Sequence, residues 1–444
     1  MRPIVGLLVL LAGGLPALAA PGWKAGVARV SITPREPIWL AGFGFRNKPS
    51  EGVRQEIFAS ALALEDETGK QSVIVAFDLV AIERQMSDEM TTRMRTRFGL
   101  TRDRIVLNVS HTHSGPVAGL VPMPLYELTP AQREVVGRYT TELIDKTVAV
   151  VGDAIAKLSP ATLWFEQGLA GIAVNRRRVG RRELPGPVDH DVPVLAVRDT
   201  EGKLRAVMVG YACHATMLSD YLISNDWPGF ARESIEKTNP GATALFVQGC
   251  GADSNALPRS DEALARNRGE VLAAAVGLVL KAKMRPVTGP LRTAYEAIEV
   301  PFHEYLTRAE LQKRLEDRTQ AIRTTAKYLL GVLDREGKFP DRYPAYPVQV
   351  WQFGKDLKFV ALGGEVVVDY SLRLKAQYGF DNTWVAGYSN DILAYIPSRR
   401  VLNEGGYEGC DAMVYFGHGG RFGAAVEETI VEKVADLVAR TAGQ

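Results

Sequence analysis

Strand-length apolar runs alternate along this chain with longer stretches of three-to-four apolar spacing, and that interleaving admits only folds that layer sheets against helices. Residues 23–33 alternate as a strand does, with Ala25, Val27, Val30 and Ile32 on one rhythm. Further strand-like runs fall at 58–64, 72–77, 105–109, 192–197, 206–211, 244–247, 359–362 and 383–386. Helical spacing occupies 86–98, 130–157, 260–283, 307–333, 366–377 and 427–441, with Thr129-Pro130 offering a cap and a first helical proline. The pattern predicts an α/β (mixed α+β) fold: a multi-stranded mixed sheet core with flanking helices and no internal repeat. Residues 334–348, rich in Pro, Tyr and charge, read as a surface connection.

Composition narrows the function classes. Of 444 residues, 46% are hydrophobic and 23% charged, enough apolar matter for a large core. Lysines and arginines number 53 against 51 acids, so the net charge of +2 lacks the basic excess that nucleic-acid binding requires. The start, Met1-Arg2-Pro3, an apolar run over 4–20 and Ala17-Leu18-Ala19, reads as a cleaved signal peptide of residues 1–19. That predicts a secreted or periplasmic protein with one catalytic domain over 20–444. The three cysteines, Cys213, Cys250 and Cys410, give no disulfide scaffold; Cys213 and Cys250 either pair or remain free thiols.

The chemistry-bearing residues concentrate at predicted strand ends. Asn108-Val109-Ser110-His111-Thr112-His113-Ser114-Gly115-Pro116 follows the strand 105–109 and holds two of the six histidines. In extended chain, residues two apart face the same way, so His111 and His113 are candidates for one cavity. His214 follows the strand 206–211, and Glu365 follows the strand 359–362 across Gly363-Gly364. Two imidazoles and a carboxylate with an open position form a standard catalytic zinc set, because a borderline metal accepts both donor types. Taken singly, each also has an ordinary reading: hydrogen-bonded loop histidines, or a glutamate complementing a helix N-terminus. His190, His303 and His418 lack such context and read as structural or surface residues.

This ordered set, with Tyr395-Ile396-Pro397-Ser398 and Tyr407-Glu408-Gly409, resembles the neutral/alkaline non-lysosomal ceramidases over roughly 24–420. The resemblance is to their catalytic domain, without the C-terminal immunoglobulin-like domain typical of that family. It implies one Zn²⁺ per chain held by His111, His214, Glu365 and Tyr395, with His113 beside the metal as a proton-transfer group. It further implies Arg176 and Tyr407 at the substrate carbonyl, and Asp253 and Ser254, in the glycine-rich segment 248–255, as substrate-contacting or loop-shaping residues. The sequence decides nothing about structural Ca²⁺ or Mg²⁺, or about oligomeric state.

The expected reaction is hydrolysis of an N-acyl amide, ceramide to sphingosine and fatty acid, with transient contact at a membrane surface. Three other readings stay open. One is a zinc hydrolase of the same fold acting on a sugar or amino-acid derivative, and another a non-catalytic lipid- or carbohydrate-binding protein. The third is a serine hydrolase using Ser254, although no Gly-x-Ser-x-Gly elbow surrounds that residue.

Overall fold

A computed structural model describes residues 22–119, 124–178 and 186–442; the expected signal peptide lies outside them. The architecture is four layers, helix, sheet, sheet, helix. The larger sheet orders its strands Thr243–Gln248, Leu204–Tyr211, Asp191–Arg198, Ser159–Leu169, Trp23–Ser31, Phe58–Glu65, Gln71–Phe77 and Ile105–Val109, with Arg285–Val287 attached to Ser159–Leu169. The second sheet runs Thr383–Ala386, Leu357–Leu362, Arg342–Phe353, Leu291–Tyr305 and Gly420–Phe422. Both mix parallel and antiparallel pairs.

The period-two rule explains the packing. Ala61, Ala63, Val73 and Val75 of the larger sheet face a core shared with the helices Arg84–Phe98 and Pro130–Ala156. Leu62, Leu64 and Ile74, on the opposite face, join Trp351, Phe359 and Trp384 of the second sheet. Strands with two buried faces read as unbroken apolar runs, which is why 72–77 and 105–109 stood out. The helices Asp226–Thr238 and Glu262–Lys281 cover the far half of the larger sheet, and Val368–Tyr378 and Val426–Ala442 cover the outer face of the second. Among the described residues no helix is long and apolar enough to cross a membrane.

Two expectations need correction, and one question left open is decided. The segment 334–348 is not wholly a connection, since Arg342–Phe353 is a central strand of the second sheet. Its prolines had argued against a strand, and a bulge opposite Ile298 and Val300 accommodates Pro344. The helix expected over 307–333 is two, Arg308–Arg314 and Gln320–Glu336. Between them Asp317 accepts from the Thr319 amide at 2.7 Å, a local turn that competes with helix. Finally, Cys213 and Cys250 are buried free thiols, and Cys410 is free and partly buried.

Candidate metal centre and substrate cavity

The carboxyl ends of three parallel-paired strands meet at one place. Ile105–Val109 runs parallel to Gln71–Phe77, Thr243–Gln248 to Leu204–Tyr211, and Leu357–Leu362 to Thr383–Ala386. The Asn108 side chain ties them together: it accepts from the Gln248 amide at 2.8 Å and donates to the Gly387 carbonyl at 2.8 Å. Beyond these ends the backbone leaves regular geometry. His111 has φ of 59°, a left-handed conformation rare outside glycine and concentrated at functional sites. At Gly364, φ is 74° and a Cβ would lie 2.6 Å from the Ile396 side chain, so only glycine fits. That close approach lets Glu365 pair in a short parallel ladder with Tyr395.

His111, His214 and Glu365 converge there, all nearly inaccessible to solvent. The Nδ1–H of His111 donates to the Val80 carbonyl at 2.7 Å, and that of His214 to the Gly251 carbonyl at 2.8 Å. Each ring therefore presents its Nε2 lone pair inward, and each Nε2 lies 3.1 Å from the same oxygen, Oε2 of Glu365. Three acceptors crowded together repel unless a proton or a cation sits among them. At His214 a proton is disfavoured: burial, then the Arg176 charge, lowers its pKa to about 4. Burial alone would raise the Glu365 pKa, but His111 and His214 hold it well below the usual carboxylate range. A divalent metal fits this donor set, with the two carbonyls fixing the imidazole tautomers as outer partners.

His113 completes a triad of histidines whose ligand atoms all lie within 4.8 Å of one another and could hold a metal ion. Its environment differs from the other two. Its Nε2 is 3.1 Å from His111 Nε2, but its buried Nδ1 has no hydrogen-bond partner among the described residues, so none of them fixes its tautomer through that nitrogen. Burial, then His111 and His214, holds its pKa well below the ordinary value. Phe43 packs edge-on at 4.8 Å, and Gly42, with φ of 93°, lies so close that a Cβ would overlap the ring.

Tyr395 places its hydroxyl 3.4 Å from His214 Nε2 and accepts from Arg176 at 3.1 Å. Burial and the neighbouring Glu365 push its pKa well above the phenolic value, against the pull of Arg176. The Arg176 guanidinium also faces the Tyr407 ring at 5.6 Å and is fixed by Glu408 at 2.6 Å. Glu408 simultaneously accepts from Arg177 at 2.6 Å, and Glu404 accepts from Arg178 at 2.5 Å. The run Arg176–Arg178 is thus an ion-pair clasp on the segment carrying Tyr407, where the sequence had left its register open.

These groups open onto a cavity of about 900 Å³. Phe43, Phe45, Leu125, Ala321 and Phe416 are among its apolar lining residues, and Arg176–Arg178, Thr216, Asn255 and Arg259 among its polar ones. Asp253 and Ser254 are not on it. Asp253 is fully buried and accepts from the Val368 amide at 2.9 Å and from Asn175 at 3.0 Å, while its carbonyl accepts from the Arg176 amide at 2.8 Å. It shapes the loop beneath Arg176. Among the described residues the Ser254 hydroxyl, also buried, has no hydrogen-bond partner and so no activating base. His418 is structural, donating to the Leu393 carbonyl at 2.9 Å, and His303 is exposed.

Sequence reasoning missed Tyr388, whose hydroxyl donates to Glu365 Oε2 at 3.3 Å and whose ring lies 4.6 Å from His111. It also missed Glu408, adjacent to Tyr407, and the Gly42-Phe43 contact. Tyr388 follows the strand Thr383–Ala386 as His214 follows its own, which was the available signal.

Comparison with known proteins places this arrangement in context. Residues 23–256 match the family model described as neutral/alkaline non-lysosomal ceramidase, N-terminal. The neutral ceramidase of Drosophila pseudoobscura pseudoobscura is 26% identical over 252 residues, covering 52% of this chain and 35% of that protein. Neutral ceramidase A of Dictyostelium discoideum is 26% identical over 223 residues, covering 46% and 30%. The matched segments thus span about a third of these curated relatives. The crystal structure of neutral ceramidase from Pseudomonas aeruginosa superposes with a TM-score of 0.74 at 18% identity, covering 94% of this chain and 74% of that one. A ceramidase complexed with C2 gives 0.73 at 17% identity, covering 94% and 75%. Since the family model takes in more than half of the residues, the chain belongs to the neutral/alkaline non-lysosomal ceramidase family.

Proposed function

We propose that this chain is a secreted, zinc-dependent hydrolase that cleaves an N-acyl amide, with ceramide as substrate and sphingosine and a fatty acid as products. The observation that carries it is the convergence of two outward-anchored imidazoles on one carboxylate oxygen, each at 3.1 Å. His111, His214, Glu365 and Tyr395 would hold the metal, and mixed nitrogen and oxygen donors favour zinc. Zinc in such a set lowers the pKa of bound water toward about 7 and polarises a carbonyl. Export rests on the leader 1–19 read from the sequence.

The chain's own residues supply the rest. Amide hydrolysis requires water to lose a proton, its oxygen to bond the carbonyl carbon, and the leaving nitrogen to gain a proton as the C–N bond breaks. His113 is placed for both transfers, since its ring is buried beside His111 with Nδ1 unengaged. Arg176 and Tyr407 face the cavity as donors to the developing oxyanion, and Glu408 holds the guanidinium in orientation. The apolar lining residues Phe43, Leu125, Ala321 and Phe416 suit an acyl chain, and Phe45, 63% exposed at the cavity, suits entry from a lipid surface.

The test is elemental analysis of the purified protein, paired with cleavage of a fluorescent short-chain ceramide before and after metal removal. One zinc per chain, loss of cleavage on chelation and recovery with zinc are expected. Cleavage that persists in metal-free protein would overturn the mechanism.

A further inference from the structure

Just past the strand Thr383–Ala386 the backbone turns into a conformation that its sequence does not favour. Tyr388 has φ of 49°, a left-handed geometry that a bulky residue keeps only where surrounding contacts hold it, and that concentrates at functional sites. Those contacts reach both halves of the metal centre. The Tyr388 carbonyl accepts from the Val109 amide at 3.2 Å, two residues before His111, and its amide donates to the Gly364 carbonyl at 3.0 Å, next to Glu365. The side chain is fully buried, with its ring 4.6 Å from the His111 ring and its hydroxyl donating to Glu365 Oε2 at 3.3 Å.

That oxygen is the one on which the Nε2 atoms of His111 and His214 converge. With both Nδ1–H groups committed to backbone carbonyls, each Nε2 brings it a lone pair, so among the described residues Tyr388 is the group that brings it a hydrogen. A carboxylate oxygen accepts along two directions. One taken by Tyr388 leaves the other aimed at the imidazoles, and the carboxylate loses its freedom to rotate. Partners of this kind behind a metal-binding carboxylate fix its orientation and raise the affinity of the site. The ring contact acts on the second donor, since it limits the swing of an imidazole whose Nδ1 is already anchored at Val80.

We infer that Tyr388 is a positioning residue for the metal centre, its hydroxyl aiming Glu365 Oε2 and its ring steadying His111 where the two sheets meet. The inference rests on the metal-centre reading above and deepens it. His111 follows a strand of the larger sheet and Glu365 a strand of the second, so one side chain sets the two donors relative to each other. Tyr388 does not line the cavity, and its influence on the reaction passes through those donors.

The test measures the zinc dissociation constant by competition with a chromophoric chelator in the full chain, as wild type, Tyr388→Phe and Tyr346→Phe. Tyr388→Phe keeps the ring and removes the hydroxyl alone. Tyr346 serves as comparison because it is equally buried and its hydroxyl donates at 3.0 Å to the Gly363 carbonyl, backbone of the segment that carries Glu365. At 3.3 Å the Tyr388 bond is longer than the roughly 2.7–2.8 Å usual for a hydroxyl donor. The expected rise in the zinc constant of Tyr388→Phe is therefore about tenfold, the lower end for such a partner. Tyr346→Phe should stay within about twofold of wild type, the scatter of an uncoupled site. A constant in Tyr388→Phe also within about twofold of wild type, or an equal rise in both variants, would sink the inference and leave the metal reading standing. Failure of Tyr388→Phe to fold would likewise count against it, by making the hydroxyl a structural group. A wild type that binds no zinc would remove the metal reading itself, and the inference with it.

Discussion

Tyr395 stands between opposing fields, with Glu365 and burial keeping its proton on and Arg176 drawing it off. A nearby divalent cation would add to the pull of Arg176, which is how a phenol becomes a serviceable ligand. Tyr395→Phe is therefore expected to lower kcat by about a hundredfold or more while the fold survives, checked by turnover beside far-UV dichroism. Near-normal turnover would remove the hydroxyl from the chemistry. His418 yields a pH prediction away from the centre. Burial lowers its pKa to about 4, while the unfolded chain titrates it near the ordinary value of about 6.5. The unfolded state then binds the proton first, so stability is full above about 6.5, falls as pH drops through that value, and the loss levels off near 4. The loss should be on the order of 1–3 kcal/mol, and Tm measured across that window should flatten in His418→Gln. At this scale the proposed donors His111, His214 and Glu365 stood out because each sits just past a strand, and Tyr395 only through the resemblance carried by its local run. Tyr388 and Glu408 did not, since their roles exist only once distant segments touch.

Elements were readable where burial is two-sided and obscure where chain chemistry opposes the outcome. The strands Gln71–Phe77 and Ile105–Val109 announce themselves by continuous apolar residues. Arg342–Phe353 hides behind Pro344 and Pro347, and Leu291–Tyr305 behind charged residues that face outward. Two connecting segments carry predictions. Gly42 backs the His113 ring with φ of 93°, so Gly42→Ala should displace that imidazole and cut turnover at least about tenfold, with metal content unchanged. Retained turnover would show that His113 tolerates movement. Asp253 joins the Ala173–Asn175 strand to the N-terminus of the helix Val368–Tyr378. Asp253→Ala should cost about 2–4 kcal/mol by leaving those donors unpaired, seen as a lower denaturation midpoint at unchanged m-value. A shift under about 0.5 kcal/mol would refute that bracing role.

On the scale of the molecule, the centre spans both sheets: His111 and His214 follow strands of the larger one, Glu365 follows a strand of the second, and Tyr395 is laddered to Glu365. Metal bound there, as proposed, would stabilise the docking of the two layers. With free zinc at about 100 times its dissociation constant, the folded state should gain roughly 2.7 kcal/mol, and chelation should lower Tm in one transition rather than two. Two separate transitions would mean that the sheets melt independently. The four layers were less legible than their parts, because sequence shows that a strand is buried but not which sheet it joins. The long separation of these donors, from position 111 to position 395, has a consequence for how the protein comes into being. Contacts so distant along the chain close late in folding, after their loop-closure entropy has been met by the sheets. If the proposed four-residue set holds the metal, a nascent chain cannot assemble the centre before Tyr395 has been synthesised, so metal capture would be a terminal event of maturation and would mark a finished molecule.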